Sequence, residues 1–510
     1  MKNVLFALFV ASMLVACGRD ASPPSAEAGA EYFGTLEPFA SEAVYFVLTD
    51  RFVDGDPDNN FVTQGAPDRH TFDRPITDLQ GNDGNIGYMG GDFRGLLNNA
   101  DYIAEMGFTS VWISPIVENP DEAFMGGDKL GEGFFADQGK TGYHGYWGVN
   151  FYEVDEHLPS PDLSFADLTS VLAQEHGLKT VLDVVCNHGS PSYSMPEDQP
   201  MYGEIYNATG ELVADHQNLN PENLDAANPL HAFFHPKADL AQLSNIDENN
   251  PAVLDYFVGA YAQWIKQGAA AFRIDTIKHM PHSFWKAFSD RIRSEHPGFF
   301  MFSESYTFSA PKVAEHTWPE NGGISVLDFP GQKSIRDVFS DPGSSFSTLQ
   351  GYLHLDDGLY QNPYELMTFY DNHDMPRMDA DESGFIDAHN WLFTSRGIPV
   401  IYYGSESIFR SGAAEHGGNR DYFGQDNVDL ARNHPVRKAL MQIARVRRES
   451  PALQRGLQLN INLRGDLAAF FRVYQKDDVN QTALILLNKA VLRNAFALTN
   501  GLAWVDGVMP

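Results

Sequence analysis

Between residues 43 and 403 the chain repeats one pattern: an amphipathic stretch, a glycine, then a short apolar run that ends in polar residues. Ala-Val-Tyr-Phe-Val-Leu at 43–48 reads as a strand that runs into Thr49, Asp50 and Arg51. Residues 93–106 have helical periodicity, stop at Gly107 and lead into Phe-Thr-Ser-Val-Trp-Ile-Ser at 108–114. Residues 165–176 do the same at Gly177, ahead of the apolar run 180–185. Pro251 after Asn250 opens a helix with Val253, Leu254, Phe257, Tyr261, Trp264 and Ile265 on one face, and Gly268 closes it. Proline in the first turn and glycine past the last is the expected asymmetry of a helix. The apolar runs at 268–274, 299–302, 324–329, 366–369 and 399–403 complete the series. About eight strands alternating with helices predict a (β/α)8 barrel. A doubly wound sheet is the alternative, but it needs a glycine-rich phosphate turn after an early strand, and the sequence has none.

Two stretches break the pattern. About sixty residues rich in Asn, Pro, Asp and Tyr separate Asn187-His188 from Pro251, too many for a simple connection. Residues 189–250 are therefore expected to form an inserted loop-rich domain, with the barrel built from 41–188 and 251–453. Beyond that, the runs at 467–474 and 482–487 predict a short antiparallel β domain over 454–510.

Composition and charge narrow the setting. A chain of 510 residues with 43% hydrophobic content can bury a large core. A formal net charge of -33 argues against nucleic acid as a partner. At the start, Lys2 precedes an apolar run at 4–15 and then Leu14-Val15-Ala16-Cys17. This run is short for a membrane span and reads as an export signal over 1–16. Its ending resembles the bacterial lipoprotein signal, which implies a lipidated Cys17, a flexible tether over 17–40, and a protein exported and anchored to a bacterial membrane, the outer one in view of Gly18. The alternative is an ordinary cleaved signal with an incidental cysteine. There are two cysteines; with Cys17 lipidated, Cys186 has no intrachain partner and reads as core.

The strand ends carry the chemistry. They read Asp183-Val-Val-Cys-Asn187-His188, Arg273-Ile-Asp275-Thr-Ile-Lys278-His279, Phe302-Ser-Glu304 and Phe369-Tyr-Asp-Asn-His373-Asp374. In a barrel these ends converge on one face, so Asp275, Glu304 and Asp374 are expected to share a pocket with histidines and Arg273. Glycoside hydrolysis needs two carboxyl groups flanking the scissile bond, about 5–5.5 Å apart in the retaining form. Arg273 would keep Asp275 ionised while a crowded site keeps Glu304 protonated. A metallohydrolase barrel is the other chemistry for acids and histidines, but His-x-His at a strand end is absent from the sequence.

These four segments resemble the four signature regions of the α-amylase family of glycoside hydrolases, in order and spacing. Tyr143-His144-Gly-Tyr146-Trp147, Asp239-Leu-Ala-Gln-Leu-Ser-Asn245, Lys278-His-Met-Pro281 and the Thr-Ser-Arg-Gly-Ile-Pro run ending at Pro399 are similar to its cyclodextrin glucanotransferase and amylase branch. The resemblance implies Asp275 as nucleophile, Glu304 as general acid/base, and Asp374 as binder of the distorted sugar's hydroxyls. It implies Arg273 orienting Asp275, His188 and His373 hydrogen-bonding the same ring, Tyr146 stacking on it and His144 nearby. Lys278 and His279 fall in the acceptor subsites, and Arg420 resembles a donor-side contact. Asp183 reads as a structural brace.

The resemblance also implies calcium. Asp54-Gly-Asp-Pro-Asp-Asn-Asn60 concentrates oxygen ligands suited to a hard cation; composition alone equally allows an acidic turn. Asp54, Asp56, Asn59, Asn60, Gly90 and Asp92 match a calcium site of the family. A second would use Asn187, the His279 carbonyl and an inserted-domain carboxylate, for which Asp215 is chosen. Departures are Ser303 in place of the usual glycine, no match for the central aromatic of cyclising enzymes, and no residues beyond Pro510 for their additional domains. Together these readings imply a membrane-tethered, retaining, endo-acting α-amylase acting on starch-like α-glucans. The alternatives are a transglycosylase of the same fold and a glucan-binding lipoprotein without activity.

Overall fold

The computed structural model describes residues 31–77, 81, 83–129, 136–489, 495–498 and 504–506. The signal, Cys17 and most of the tether lie outside the described residues.

Eight parallel strands make the barrel: β1 (Val44–Val47), β2 (Ser110–Ile113), β3 (Lys179–Val184), β4 (Ala269–Ile274), β5 (Phe300–Ser303), β6 (Ser325–Val326), β7 (Met367–Thr368) and β8 (Ile398–Tyr402). They run in the order β6-β5-β4-β3-β2-β1-β8-β7, and a parallel bridge from Leu327 to Met367 joins the two ends. Strands covered on both faces need apolar residues without alternation, and β1, β2, β5 and β8 are buried at every position. Phe46 and Trp112 stack with their centroids 3.8 Å apart.

Around the barrel lie α1 (Phe93–Asn98), α2 (Ala100–Glu105), α3 (Phe165–Glu175), α4 (Pro251–Lys266), α5 (His282–Glu295), α6 (Phe329–Phe339), α7 (Glu382–Thr394) and α8 (Pro435–Arg448). Their starts follow capping chemistry. Ser164 and Asp167 form a reciprocal capping box on α3. Asn250 caps α4, with Pro251 in its first turn. Gly268 then turns the chain at φ +106°, where a Cβ would stand 2.3 Å from Thr169 Oγ1, so only glycine lets α4 pass so closely into β4.

The helix expected over 93–106 is broken. Asn99 leaves helical geometry and donates from Nδ2 to Gly95 O at 2.9 Å and to Gln425 Oε1 at 3.0 Å. β6 is also shorter than its apolar run, because Asp328 caps α6 by accepting the Gly331 N–H at 2.9 Å.

The segment after β3 holds a hairpin (Glu204–Tyr206 with Leu212–Asp215), and His188–Pro191 pairs with Leu243–Asn245. A small core of Phe124, Trp147, Met195 and Tyr202 packs there apart from the barrel. A C-terminal antiparallel sheet follows: β9 (Leu457–Arg464), β10 (Leu467–Lys476), β11 (Val479–Asn488), β12 (Ala495–Leu498) and β13 (Trp504–Asp506). Buried Arg472 fastens it to the barrel by donating to Thr394 O and Ser395 O at 2.8 and 2.5 Å, at the end of α7. The first described residues enter along this sheet, with Tyr32 bridged to Gln475. No helix among the described residues is long and apolar enough to cross a membrane.

Candidate active site

Strand register assembles the centre. Arg273 on β4 pairs with Asp183 on β3, and Ile274 pairs with Ser303 on β5. Asp275 and Glu304 are the next residues on their strands, so they emerge side by side at the C-terminal rim. Backbone bonds hold both, from Asp275 N to Val184 O at 2.9 Å and from Glu304 N to Ile274 O at 2.8 Å. Thr276, directly after Asp275, adopts a left-handed φ of +51°. For a β-branched residue that costs on the order of 1 kcal/mol or more, and it turns the chain off the strand just past the carboxyl.

Arg273 is fully buried and faces three carboxyls. Its Nη1 lies 2.9 Å from Asp183 Oδ1 and 2.7 Å from Asp275 Oδ1, and its Nη2 lies 2.7 Å from Glu304 Oε2. One guanidinium cannot keep three buried carboxyls ionised, and the three respond differently. Burial alone would raise Asp275, but Arg273, His188 and hydrogen bonds from Glu304 and Arg273 hold it below the usual carboxylate range. Burial pushes Glu304 well above its usual value, Arg273 opposes this, and Asp275 and Asp374 add to it. The two carboxyls sit on one guanidinium, at 2.7 Å each, and the opposite shifts leave Glu304 with the proton and Asp275 with the charge.

Asp183 is a brace, as its place in the sequence implied. Beyond Arg273 it accepts from Trp112 Nε1 at 3.0 Å and from the Tyr146 hydroxyl at 2.9 Å. Tyr146 in turn stacks on His373, with the rings 5.3 Å apart and 3° from parallel. His144 is buried, and its Nδ1 accepts the Tyr146 N–H at 3.1 Å. His188 and His373 are both buried and held below their ordinary pKa, chiefly by desolvation. They are neutral imidazoles, able to hydrogen-bond uncharged hydroxyls.

Asp374 stands opposite on the β7 side. Enclosure in the cleft raises it to about 6; Arg420 pulls it down and Glu415 pushes it up. Arg420 touches it directly, Nη2 to Oδ1 at 2.7 Å, while also reaching Glu415 at 3.0 Å and the His373 carbonyl at 2.9 Å. Arg420 thus holds Asp374 in place. Lys278 is exposed and donates to Tyr306 O at 2.9 Å. His279 Nδ1 meets Asp239 Oδ2 at 3.0 Å. Trp112 and Glu415 were not singled out from sequence: Trp112 reads as one more apolar strand position, and Glu415 lies in a glycine-rich loop without periodicity.

The oxygen-rich turn fits a hard cation. Asp54 Oδ1, Asn59 Oδ1 and Asn60 Oδ1 are buried and without a hydrogen-bond partner. Asn60 Nδ2 donates to Asp54 Oδ2 at 2.9 Å, and Asn59 Nδ2 to Asp92 Oδ2 at 3.3 Å. Gly90 closes over them, since a Cβ there would lie 2.3 Å from Asn60 Oδ1. Burial raises Asp92 to about 6, with Asp54 adding to it; a cation would relieve both. Asp56 also caps the turn, accepting the Asp58 N–H at 3.2 Å through one carboxylate oxygen.

At the second place Asn187 Oδ1 is likewise buried without a partner. The carboxylate beside it is Asp239, whose Oδ2 accepts from Asn187 Nδ2 at 3.2 Å and also meets His279. Asp215 is not brought there: it sits on the hairpin opposite Glu204 and accepts the Gln217 N–H at 2.7 Å. The sequence offered several acids in a loop without periodicity, and only the fold separates them.

A (β/α)8 barrel with a paired proton-bearing and ionised carboxyl, braced by arginine, defines a glycosidase type of site. A family model described as alpha amylase, catalytic domain, matches residues 46–442, and the chain belongs to that family. It is 27% identical over 473 residues to a cyclomaltodextrin glucanotransferase of Bacillus licheniformis, covering 88% of this chain and 59% of that one. The chain thus spans about 60% of the length of several curated relatives it matches. Among solved structures it is similar to CldA, described as a cyclomaltodextrin glucanotransferase with a three-domain ABC distribution, at TM-score 0.72 and 30% identity over 88% of this chain and 87% of that one. It is also similar to an Anoxybacillus alpha-amylase, at TM-score 0.67 and 26% identity over 88% and 87% of the two chains.

Proposed function

We propose that the protein is a retaining, endo-acting α-amylase that hydrolyses α-1,4-glucosidic bonds in starch and maltooligosaccharides. The observation that carries this is the split pair on Arg273: Asp275 ionised and Glu304 protonated, both within 2.7 Å of one guanidinium and so close enough to act as the pair of a retaining enzyme. In the first step the Asp275 carboxylate attacks the anomeric carbon while Glu304 protonates the glycosidic oxygen. The C–O bond breaks, a glycosyl ester forms on Asp275, and the leaving chain departs as an alcohol. Glu304, now a carboxylate, takes a proton from water; the water attacks the same carbon and frees Asp275. Asp374, held by Arg420, and the neutral His188 and His373 bind the hydroxyls of the distorted sugar.

Transglycosylation is the second reading, favoured by the transferase relatives. It differs only in the acceptor, a sugar hydroxyl instead of water. CldA, with three domains, removes domain number as a ground for choosing between them. Water is favoured by the inserted segment, residues 189–250, whose sequence offers no match for the central aromatic of cyclising enzymes. Digestion of soluble starch and a seven-unit maltooligosaccharide is the test. Short linear products are expected early; cyclic products, or products longer than the substrate, would move the protein to the transglycosylases.

Ca2+ is proposed at Asp54, Asp56, Asn59, Asn60, Gly90 and Asp92, and at Asn187 with Asp239 and the His279 carbonyl, where it would tie loops to the catalytic rim. A ligand at about a hundred times its Kd adds about 2.7 kcal/mol of stability. Chelation should therefore lower Tm by roughly 3–5 °C, and Asp54→Ala should lose about half of that response. An unchanged Tm in the chelated wild type contradicts it.

Export and a lipid anchor on Cys17 are proposed from the signal sequence alone. The mass of the mature N-terminal peptide decides, since an unmodified Cys17 rules the anchor out.

A further inference from the structure

We propose that a polar pocket at the foot of the barrel, on the face opposite the catalytic rim, is a second binding site for α-glucan; this rests on the reading above. The pocket has a volume of about 440 Å3, within the range of about 300–1,000 Å3 typical of small-molecule sites. Its place follows from the strands. Phe299, Phe300 and Met301 line it at the start of β5, Ser325 opens β6 there, and Glu365 stands two residues ahead of β7. Glu304 emerges at the other end of β5, about 13 Å further along the strand. A glucan held at the foot therefore lies outside the catalytic cleft.

The walls are fixed before any ligand arrives. Arg293 on α5 donates to Gly322 O at 2.6 Å and to Gly323 O at 2.9 Å, which ties the loop before β6 to the helix. Gly298 has a left-handed φ of +76°, and a Cβ there would meet nothing within 4 Å, so that edge is open backbone. Across the pocket, Asn362 Nδ2 donates to Gly34 O at 3.1 Å and to Glu365 Oε1 at 3.0 Å. The Thr35 hydroxyl donates to the same carboxylate oxygen at 2.6 Å. Glu37 Oε1 accepts the Phe39 N–H at 3.0 Å. Both glutamates thus bond to the protein through Oε1 and keep Oε2 for a ligand.

The lining selects the ligand. Burial raises the Glu365 carboxyl and Glu37 adds to the rise, against Thr35, Asn362 and Arg293, so an anion is disfavoured. The basic residues offer no free cation to attract one: Lys286 pairs with Asp290 at 2.6 Å, and Arg293 is bound to backbone carbonyls. What remains is carboxylate oxygens, the exposed Gln361 amide and the half-buried Phe299 ring, held edge-on to Phe272 at 4.7 Å. Sugar hydroxyls donate to carboxylate and amide oxygens, and the apolar face of a sugar packs on an aromatic ring. A run of glucose units supplies both.

The test measures the affinity of the full chain for starch granules and, separately, kcat/KM on maltoheptaose. It compares wild type with Gln361→Ala and with the double variant Glu37→Gln/Glu365→Gln. The glutamines keep the shape and the Oε1 contacts, and Gln361 is exposed, so a folding defect in one variant leaves the other to decide. Granule affinity is expected to fall about tenfold in the double variant and about threefold in Gln361→Ala, with kcat/KM on maltoheptaose unchanged. Unchanged granule affinity overturns the site. So does an equal fall in both readouts, which would place the effect in the cleft or in the fold. If wild type does not cleave maltoheptaose, the functional reading fails instead. Granule affinity that still falls in the variants then upholds the pocket, and affinity that does not overturns it.

Discussion

Glu304→Gln is expected to lose about three powers of ten or more in kcat on maltoheptaose while binding it with nearly unchanged affinity. The amide has the carboxyl's shape and can hydrogen-bond to Arg273's other partners, but it has no proton to give to a poor leaving group. Two further readouts separate lost acid catalysis from lost geometry. A substrate with an activated leaving group, such as α-maltosyl fluoride, should recover much of the rate of the first step. The alkaline limb of the pH profile should also vanish: wild-type activity falls as pH rises through the raised pKa of Glu304, and the variant has no such group. Full activity on maltoheptaose in this variant sinks the assignment.

Arg273→Leu should be both inactive and unstable. The guanidinium is the shared partner of Asp183, Asp275 and Glu304. Removing one partner of a buried ion pair costs about 3–5 kcal/mol, because it strands the charges left behind. Asp275 would then be raised by its burial and lose nucleophilicity at neutral pH. The pH dependence has a definite sign. In wild type the folded pKa of Asp275 is depressed, so its contribution to stability is present above the unfolded carboxylate value and fades as pH falls through the folded one. In the variant the stranded carboxyls prefer to be protonated, so folding gains as pH falls. The Tm gap between the two proteins should narrow from pH 7 to pH 5; a gap that stays constant means that Arg273 matters for packing and not for charge.

Much of this was legible in the chain because a barrel strand writes its own ending. A buried apolar run must end where it meets solvent, and at 183–188, 273–275, 302–304 and 369–374 the residues that break the run are those at the catalytic rim. Register did the rest: Arg273 opposite Asp183 and Ile274 opposite Ser303 fix the cluster in space, and no sequence pattern states register between strands so far apart. What escaped was set by long-range packing. Asp239, not Asp215, reached Asn187, because the fold of the inserted segment chooses among several exposed acids.

The C-terminal sheet shows the same limit. β9 reads Leu-Gln-Leu-Asn-Ile-Asn-Leu-Arg, a clean alternation that predicts leucines inward. Instead Gln458 is buried, its Oε1 accepting the Arg396 N–H at 2.8 Å, while Leu459 and Ile461 face solvent. A register shift between Asn460 and Asn462 then brings Leu463 inside. One buried polar bond and one bulge, neither visible in the alternation, set which face packs.

The account's central claim is that Asp275 and Glu304 act as a close, unequally protonated pair on an α-glucan. Proton NMR of maltoheptaose during the first turnovers tests it most directly, because the configuration of the newly formed reducing end is read before it equilibrates. The account predicts α-anomers on short linear products, the outcome of two successive displacements at one carbon. β-Anomers at early times would mean a single displacement by water, and Asp275 would not be the nucleophile.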